Sequence, residues 1–468
     1  MVKGTATGLR RNMRTWLWPV PVAGIVVGVV LAILLPRVDA RLDHALPPVL
    51  DNGLFGGDPG AARTVLSAVS TSLITVTSLT FSITVVSLQL ASSQFSPRLL
   101  RTFTGDLFVQ ATMAVFLATF TYSLVLLRAT HRSIGSFSQF VPRISVAVSL
   151  ALAAASVLML VLFLAHLARQ VRVEGMLRAV HAEALSTVRT TLAGPGARTG
   201  APVQAADRQD DVPCPPGTAM TVLAPSSGFL VRIQEAYLLR VAMGAGAVVL
   251  IDCSPGCSLV KGTPIGKAWP VAGQAFDDLT SARLRRDLGK AIRTGFERTA
   301  VQDIGYGLRQ MTDVANKALS PGINDPTTAV HALGHISALL GELASRNPGP
   351  LLLRDEECRI RVVLARPDLA QLLDEAITQP RRYGAADPQV MARLYVLLAE
   401  LAWQVGPEQH PAIRQQLSRL EDTTAQQDFG EPERAGLARL AHDVDNAFVG
   451  QYTPRRLQRA PRQQGDAP

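Results

Sequence analysis

The 468-residue sequence predicts a membrane α-helical protein with four transmembrane helices, followed by a cytoplasmic α+β region made of a small β-sandwich and a helical lobe. Two observations predict this fold class. Four apolar stretches before residue 169 are each long enough to cross the roughly 30 Å hydrocarbon core of a bilayer. Beyond residue 217, short β-branched segments alternate with turns, and from residue 277 the pattern becomes helical.

Basic residues near the chain start set the predicted topology. The first 15 residues carry Lys3, Arg10, Arg11 and Arg14, so we expect both termini of a four-span chain to lie in the cytoplasm. The predicted segments are a basic N-terminus (1–15), a transmembrane domain (16–168), a helical stalk (169–192), a linker (193–216), the β-sandwich (217–275), the helical lobe (276–450) and a disordered basic tail (451–468).

The first, third and fourth spans are predicted at residues 16–35, 107–127 and 144–164. Trp16 and Trp18 are typical anchors at a membrane interface. Gly24 and Gly28 have the spacing of small residues at helix contacts, either inside the bundle or between subunits. The fourth span continues without a helix breaker, which predicts one long helix that leaves the membrane as the stalk.

The second span lies within residues 64–97 and combines the length of a membrane helix with many polar side chains and no charge. At 100° per residue, hydroxyl and amide groups align along one side of this helix. We name five of them the polar stripe and treat them as candidate pore-lining residues: Thr71, Thr75, Ser78, Ser82 and Gln89.

The polar stripe has two interpretations. Serine and threonine bond the carbonyl one turn back and let helices approach closely, so the stripe is typical of helix packing. The alternative is the uncharged wall of a pore or substrate path. Polar residues of the third span are candidates to face the stripe: Gln110, Thr112, Thr119, Thr121 and Tyr122.

Residues 217–275 alternate strands with turns, at 220–223, 228–233, 247–251, 258–260 and 264–268. The rhythm is similar to small β-sandwiches of the biotinyl/lipoyl type. Lys261 lies in a turn before Gly262 and not at a hairpin tip, so the sequence favours a structural module over a carrier domain. A further strand within residues 357–365 is predicted to join the sandwich or to pair with a partner.

The helical lobe is interrupted at residues 318–326, ALSPGINDP, which predict a tight turn before a helix. Asp325 or Thr327 is expected near the helix N-terminus, either as a cap or as part of an anion site. His331 and His335 lie one turn apart; a solvated face is favoured over a metal pair. Later helices are predicted at 369–377, 388–405, 413–425 and 431–449.

The charge and cysteine content bound the partners. The chain has 46 Lys and Arg against 37 Asp and Glu, and the excess is nearly all arginine, which favours acidic lipid over nucleic acid. Cys253 and Cys257 are separated by three residues, which is neither the redox nor the zinc spacing, so we expect reduced thiols and no metal or cofactor.

Two stretches carry a family resemblance: TSLITVTSLTFSITVVSLQLASSQFSPRLLRTF (71–103) and RTAVQDIGYGLRQMTDVANKALSPGINDPTTA (298–329). Together they resemble the bacterial predicted membrane proteins of domain-of-unknown-function family 2254. The resemblance covers nearly the whole chain and implies a multi-pass protein of the bacterial inner membrane with the same four spans and a cytoplasmic domain. It implies no activity, so no functional residue is carried over.

Three functions stay open. The first is a homo-oligomeric channel or transport subunit, with the polar stripe along the path of a small ion or solute and the cytoplasmic domain as its gate. The second is a membrane-anchored sensor or scaffold. The third is an enzyme, which is not expected because the sequence has no nucleophile elbow, P-loop or metal motif. The candidate site residues for an enzyme are Asp303, Arg309, Asp313, Asn324 and Asp325.

Overall fold

The computed structural model describes residues 18–42, 59–94, 106–132, 143–170, 173–192, 212–271, 273, 275–346 and 349–452. The chain divides into two compact units, Met1–Gly175 and Met176–Pro468. Several predictions fall outside the described residues: the basic N-terminus, most of the linker and nearly all of the tail.

The first unit contains four helices that are long and apolar enough to cross a membrane. They are α1 (Pro19–Leu42), α2 (Pro59–Gln94), α3 (Leu107–Arg132) and α4 (Arg143–Gln170). The four predicted spans are confirmed at this level of length and composition. The helices of the first, third and fourth spans run five or more residues past the predicted ends. The predicted ends mark where the apolar run stops, whereas each helix continues through the less apolar residues that follow.

Helix α3 is the central helix of the first unit and packs against the other three. A Cβ atom added at Gly24 or Gly28 of α1 would lie 2.5 Å from the carbonyl oxygen of Ala114 or Ala118 of α3. The small-residue prediction is therefore confirmed as a contact inside the bundle, where two backbones meet without intervening side chains.

The second unit contains two β-sheets. The five-stranded sheet has the order β1-β5-β3-β8-β7 and the three-stranded sheet has the order β4-β2-β6. The strands are β1 (Met220–Leu223), β2 (Gly228–Ile233), β3 (Ala247–Ile251), β4 (Ser258–Leu259), β5 (Pro264–Pro270), β6 (Ile292–Gly295), β7 (Leu351–Arg354) and β8 (Ile360–Leu364).

The predicted β-sandwich at 217–275 differs from the structure in composition. All five predicted strands form, and the strand predicted within 357–365 joins them as β8, which pairs in parallel with β3. The sheets also contain β6 and β7, which the sequence did not predict. A helix, α6 (Glu235–Gly244), also lies between β2 and β3 where the sequence predicted none. Leu238 and Ala242 of this helix are buried in the core around the sheets. Burial of this helical face, and not the strand periodicity of the neighbouring segments, therefore decides the secondary structure here.

Helices make up most of the rest of the second unit. The predicted helices are confirmed, and Asp325 caps α9 by accepting from Thr328 N at 3.0 Å, as the capping interpretation requires. The helices are α7 (Asp278–Ala291), α8 (Tyr306–Ala318), α9 (Pro326–Ser345), α10 (Leu369–Tyr383), α11 (Pro388–Gln404), α12 (His410–Ala425) and α13 (Glu431–Phe448).

The segment predicted as a stalk is the helix α5 (Val173–Leu192), and from Met176 onward it belongs to the second unit. Its apolar face is buried there: Ala184 contacts Gly307, and Thr187 Oγ1 donates to the carbonyl of Ala300 at 2.8 Å. The helix is thus a packed element of the second unit. Continuity with α4 depends on residues 171–172, which lie outside the described residues.

Candidate functional site

The five residues of the polar stripe are all exposed on the surface of the first unit. The opposite side of α2 is buried, and its Leu66 shares a core cluster with Tyr122 and Leu126 of α3. The stripe therefore faces away from the other described helices of the first unit.

The hydroxyl and amide groups of the stripe differ in how they are satisfied. Thr75 Oγ1 donates to the carbonyl of Thr71 at 3.0 Å, which is the local bond expected for threonine in a helix. The side chains of Ser78, Ser82 and Gln89 have no hydrogen-bond partner among the residues that the structure describes. Three polar groups on a membrane-length helix are thus left for a partner outside the described chain.

The polar residues of the third span are not brought to the stripe. Gln110, Thr112, Thr119 and Tyr122 are buried inside the bundle, whereas the stripe is exposed on another face of the unit. Thr121 donates back to the carbonyl of Leu117 at 2.6 Å. Helical spacing shows which residues share a face but not which neighbour that face meets, and this is why the prediction differs.

Several of these buried residues form a second polar set, which we name the α3–α4 seam. Tyr122 Oη donates to the carbonyl of Ser145 at 2.8 Å, and the hydroxyls of Ser123 and Ser149 lie 2.8 Å apart. Further along, Ser156 Oγ lies 3.3 Å from Thr119 Oγ1. The seam joins α3 and α4 by hydrogen bonds that hydrocarbon cannot compete for.

A carboxylate from another part of the chain meets each end of helix α4. Asp39 of α1 accepts from the backbone N–H groups of Ile144 and Ser145 at 3.1 and 2.8 Å, and from Ser145 Oγ at 2.7 Å. This carboxylate satisfies donors that the first turn of a helix leaves unbonded. At the other end, His166 Nε2 lies 2.6 Å from the carboxylate of Asp106.

Sequence reasoning missed the seam and the Asp39 cap. One signal was present: Ser145, Ser149 and Ser156 are spaced by four and seven residues, which places them on one face of a helix.

In the second unit, the carboxylate of Asp303 is buried beside Arg298, with Arg298 Nε and Nη2 each 2.9 Å from Asp303 Oδ2. Arg298 Nη1 also reaches Glu375 at 3.3 Å. Burial raises the pKa of Asp303 to about 6, against the attraction of Arg298. Burial also opposes the charge of Arg298, but the attraction of the two carboxylates outweighs it and raises the pKa of that guanidinium.

The other residues considered for an enzyme have partners of their own. Arg309 and Asp313 pair with each other on one helix at 3.1 Å, and Asp325 caps α9. Asn324 occupies the turn before it with φ of 49°, a left-handed conformation that asparagine tolerates. The contacts of Arg309, Asp313 and Asp325 are local to one helix or to its N-terminus.

The two predicted histidines of α9 are not grouped with further metal ligands in the described part of the chain. His331 is exposed, and the ring of His335 lies 5.4 Å from that of His181 on α5. Burial and the neighbouring His335 lower the pKa of His181. The four cysteines are free, and burial together with Cys253 raises the pKa of the Cys257 thiol to about 12.

A cleft in the second unit contains the guanidinium of Arg366, and the carboxylate of Glu235 lines the same cleft and attracts it. Arg366 follows β8, and its Nη2 donates to the carbonyl of Thr191 at 2.8 Å. Burial lowers the pKa of Arg366, and no described carboxylate forms an ion pair with it. The cleft is lined by Thr191, Ile233, Glu235, Ser254, Pro255, Gln302, Ile304, Leu351, Leu364, Ala365, Arg366 and Pro367.

Comparison with known proteins identifies relatives without an assigned activity. Residues 14–400 match the family model described as predicted membrane protein (DUF2254). The chain is 35% identical over 439 residues to the uncharacterized proteins Mb1321c of Mycobacterium bovis and Rv1290c of Mycobacterium tuberculosis. In both cases the match covers 92% of this chain and 80% of the relative. No solved structure matches the chain significantly.

Proposed function

The chain belongs to the family of predicted membrane proteins designated DUF2254, and from that premise we propose that it is an oligomeric channel or transport subunit. In this proposal, helices α2 from several copies surround a polar path for a small ion or solute. The bilayer is the bacterial inner membrane, with both termini in the cytoplasm. The second unit acts as the gate.

The observation that carries the proposal is the exposure of Ser78, Ser82 and Gln89 without described partners. Facing lipid, such groups cost free energy, because hydrocarbon offers no hydrogen bond. A second copy of α2 or a column of water removes that cost. The described part of the stripe carries no charge, which suits a weakly binding path rather than an ion-coupled transporter.

The test is ion flux and single-channel current from the full chain in liposomes. We compare the wild type with Ser78→Leu combined with Ser82→Leu, which replaces two hydroxyls of the stripe by bulky apolar groups. The matched control is Ser72→Leu combined with Ser87→Leu, because these serines lie on the same helix but outside the stripe.

Wild-type current that the stripe variant blocks and the control variant retains supports the proposal, provided that both variants assemble like the wild type. Current that survives in the stripe variant contradicts the stripe as the path. Silence of the wild type across salts, pH and membrane tension contradicts transport and favours the second candidate below.

The second candidate function is a membrane-anchored sensor, and the Arg366 cleft favours it. A guanidinium has five N–H donors in a fork that fits carboxylate or phosphate, and the described residues offer this one a single carbonyl. A small anion that raises the thermal midpoint of the wild type but not of Arg366→Gln supports a sensor. No catalytic role is part of either proposal, since Asp303, Arg309, Asp313 and Asp325 have structural partners.

A further inference from the structure

At one end of the three-stranded sheet, the loop before β2 forms hydrogen bonds with the loop after β4 and with strand β6. The backbone N–H of Lys261 donates to Ser227 Oγ at 3.0 Å, and that of Gly262 donates to the carbonyl of Ala224 at 2.9 Å. On the other side, the hydroxyls of Ser226 and Thr294 lie 2.8 Å apart. These bonds tie the loop before β2 to the loop after β4 and to strand β6 itself.

The same region presents apolar side chains to solvent. Phe296, the residue after β6, is 95% exposed, and Val260, the residue after β4, is 60% exposed. Leu223, at the end of β1, is 43% exposed. Strand register puts Val260 and Phe296 at the same end of the sheet, because Leu259 pairs with Gly228 and Gly295 pairs with Phe229. We name these three residues the apolar tip.

Positive charge lies on the same sheet. Arg232 of β2 and Arg293 of β6 are directly opposite each other, both are exposed, and neither forms an ion pair with a described residue. Like charges in directly opposed positions of a sheet repel, so this pair is unfavourable in water alone. Lys261 adds a third exposed cation in the loop beside Val260. The exposed acid in these loops is Glu297, next to Phe296.

We infer that the apolar tip and the Arg232–Arg293 pair form a docking surface for an anionic lipid bilayer. An exposed aromatic ring with neighbouring aliphatic groups suits the boundary between headgroups and acyl chains, and unpaired arginines suit anionic headgroups. The second unit follows four membrane-length helices in the chain, so the bilayer of its own chain is the surface within reach. Charge complementarity selects anionic lipid as the occupant.

The test uses photocrosslinking in the full chain, reconstituted in nanodiscs that contain one bilayer. Benzoylphenylalanine replaces Phe296 in one sample. In the control sample it replaces Leu279, an 84% exposed apolar residue in the first turn of α7. Lipid adducts are quantified by mass spectrometry in phosphatidylglycerol-rich and in purely phosphatidylcholine discs, and protein–protein adducts are read by gel.

We expect abundant lipid adducts at position 296 and few at 279 in anionic discs. Arg232→Gln combined with Arg293→Gln should lower the yield at 296 by about 30-fold, because two basic residues near an anionic surface contribute roughly 1 kcal/mol each. High salt should also lower the yield of lipid adducts at position 296, because it screens the attraction between the arginines and the headgroups.

Equal yields at positions 296 and 279 overturn the inference, as does a yield at 296 that is independent of lipid charge and of the two arginines. Adducts at 296 that join two copies of the chain also overturn it and assign the apolar tip to a protein contact. The inference is independent of transport, since flux plays no part in any of these readings.

Discussion

Two sets of polar side chains run along the first unit, and they differ in where their partners lie. In the α3–α4 seam, Tyr122, Ser123 and Thr119 each meet a partner on α4. In the polar stripe, Ser78, Ser82 and Gln89 have no described partner. Polar residues in a membrane helix thus fall into those that build the chain's own bundle and those that need something outside it. Residue type alone therefore does not show whether a polar side chain in a membrane helix lines a transport path.

The largest effect is expected at Asp39, whose carboxylate accepts hydrogen bonds from Ser145 at the start of α4. Asp39→Ala removes the acceptor of three hydrogen bonds at the start of α4, so we expect the free energy of unfolding in detergent to fall by about 3 kcal/mol. Asp39→Asn is the control, because it keeps one acceptor oxygen and should lose less. A loss for Asp39→Ala below about 0.5 kcal/mol would mean that the Asp39 cap does not hold the start of α4.

The Asp303 carboxylate extends the comparison to the second unit, because it is paired and yet deeply buried. Its pKa of about 6 lies above the usual 3.8, so the folded state binds the proton more tightly. The free energy of unfolding should therefore fall by about 2 kcal/mol as pH rises from about 4 to about 6, and level off above that.

Asp303→Asn should abolish this fall. Hydrogen exchange of α8 peptides, corrected for intrinsic exchange at each pH, measures the effect. If protection in the wild type instead rises with pH, the folded state does not bind the Asp303 proton more tightly. That result would contradict the claim that burial raises the pKa of Asp303.

The stripe should behave in the opposite way to the seam. Gln89→Leu removes an exposed amide that no described residue bonds, so the unfolding free energy of the single chain should change by less than about 0.5 kcal/mol. Self-association, measured by energy transfer between labelled copies on dilution in lipid, should weaken by about 1 kcal/mol. Destabilised monomers with unchanged association would erase the distinction between stripe and seam.

The smallest effect is expected inside the seam. A double-mutant cycle of Ser123→Ala and Ser149→Ala should give a coupling of about 0.6 kcal/mol, which is typical of hydrogen bonds between membrane helices. Ser156→Ala serves as a comparison, because its bond to Thr119 is longer at 3.3 Å. A coupling of zero would show that the hydroxyls bond their own helices instead.

Much of the fold could be predicted from the sequence, because hydropathy and local turn chemistry report on single segments. The four spans, the strands from β1 to β5 and the cap at Asp325 are of this kind. The parallel pairing of β8 with β3 was not predictable in this way, since it joins residues more than 100 positions apart. Helix α6 was missed because its ten residues lie between two strong strand patterns.

The site was predictable only in part for the same reason. Periodicity identified the face of α2 that holds Ser78 and Ser82, which the structure leaves exposed. It could not reveal that Tyr122 turns to Ser145, because a hydrogen bond between two helices depends on their packing and not on the spacing within either.

The close approach of Gly24 and Gly28 to Ala114 and Ala118 has a consequence for biosynthesis. Helix α1 leaves the ribosome before α3, yet the backbone groove that receives it belongs to α3, whose contacting residues emerge about 90 residues later. The nascent chain therefore holds an apolar helix in the bilayer with its glycine face against lipid until α3 is inserted. Assembly of the bundle is completed out of chain order, and enlarging either glycine should increase the share of newly made chains that membrane proteases remove.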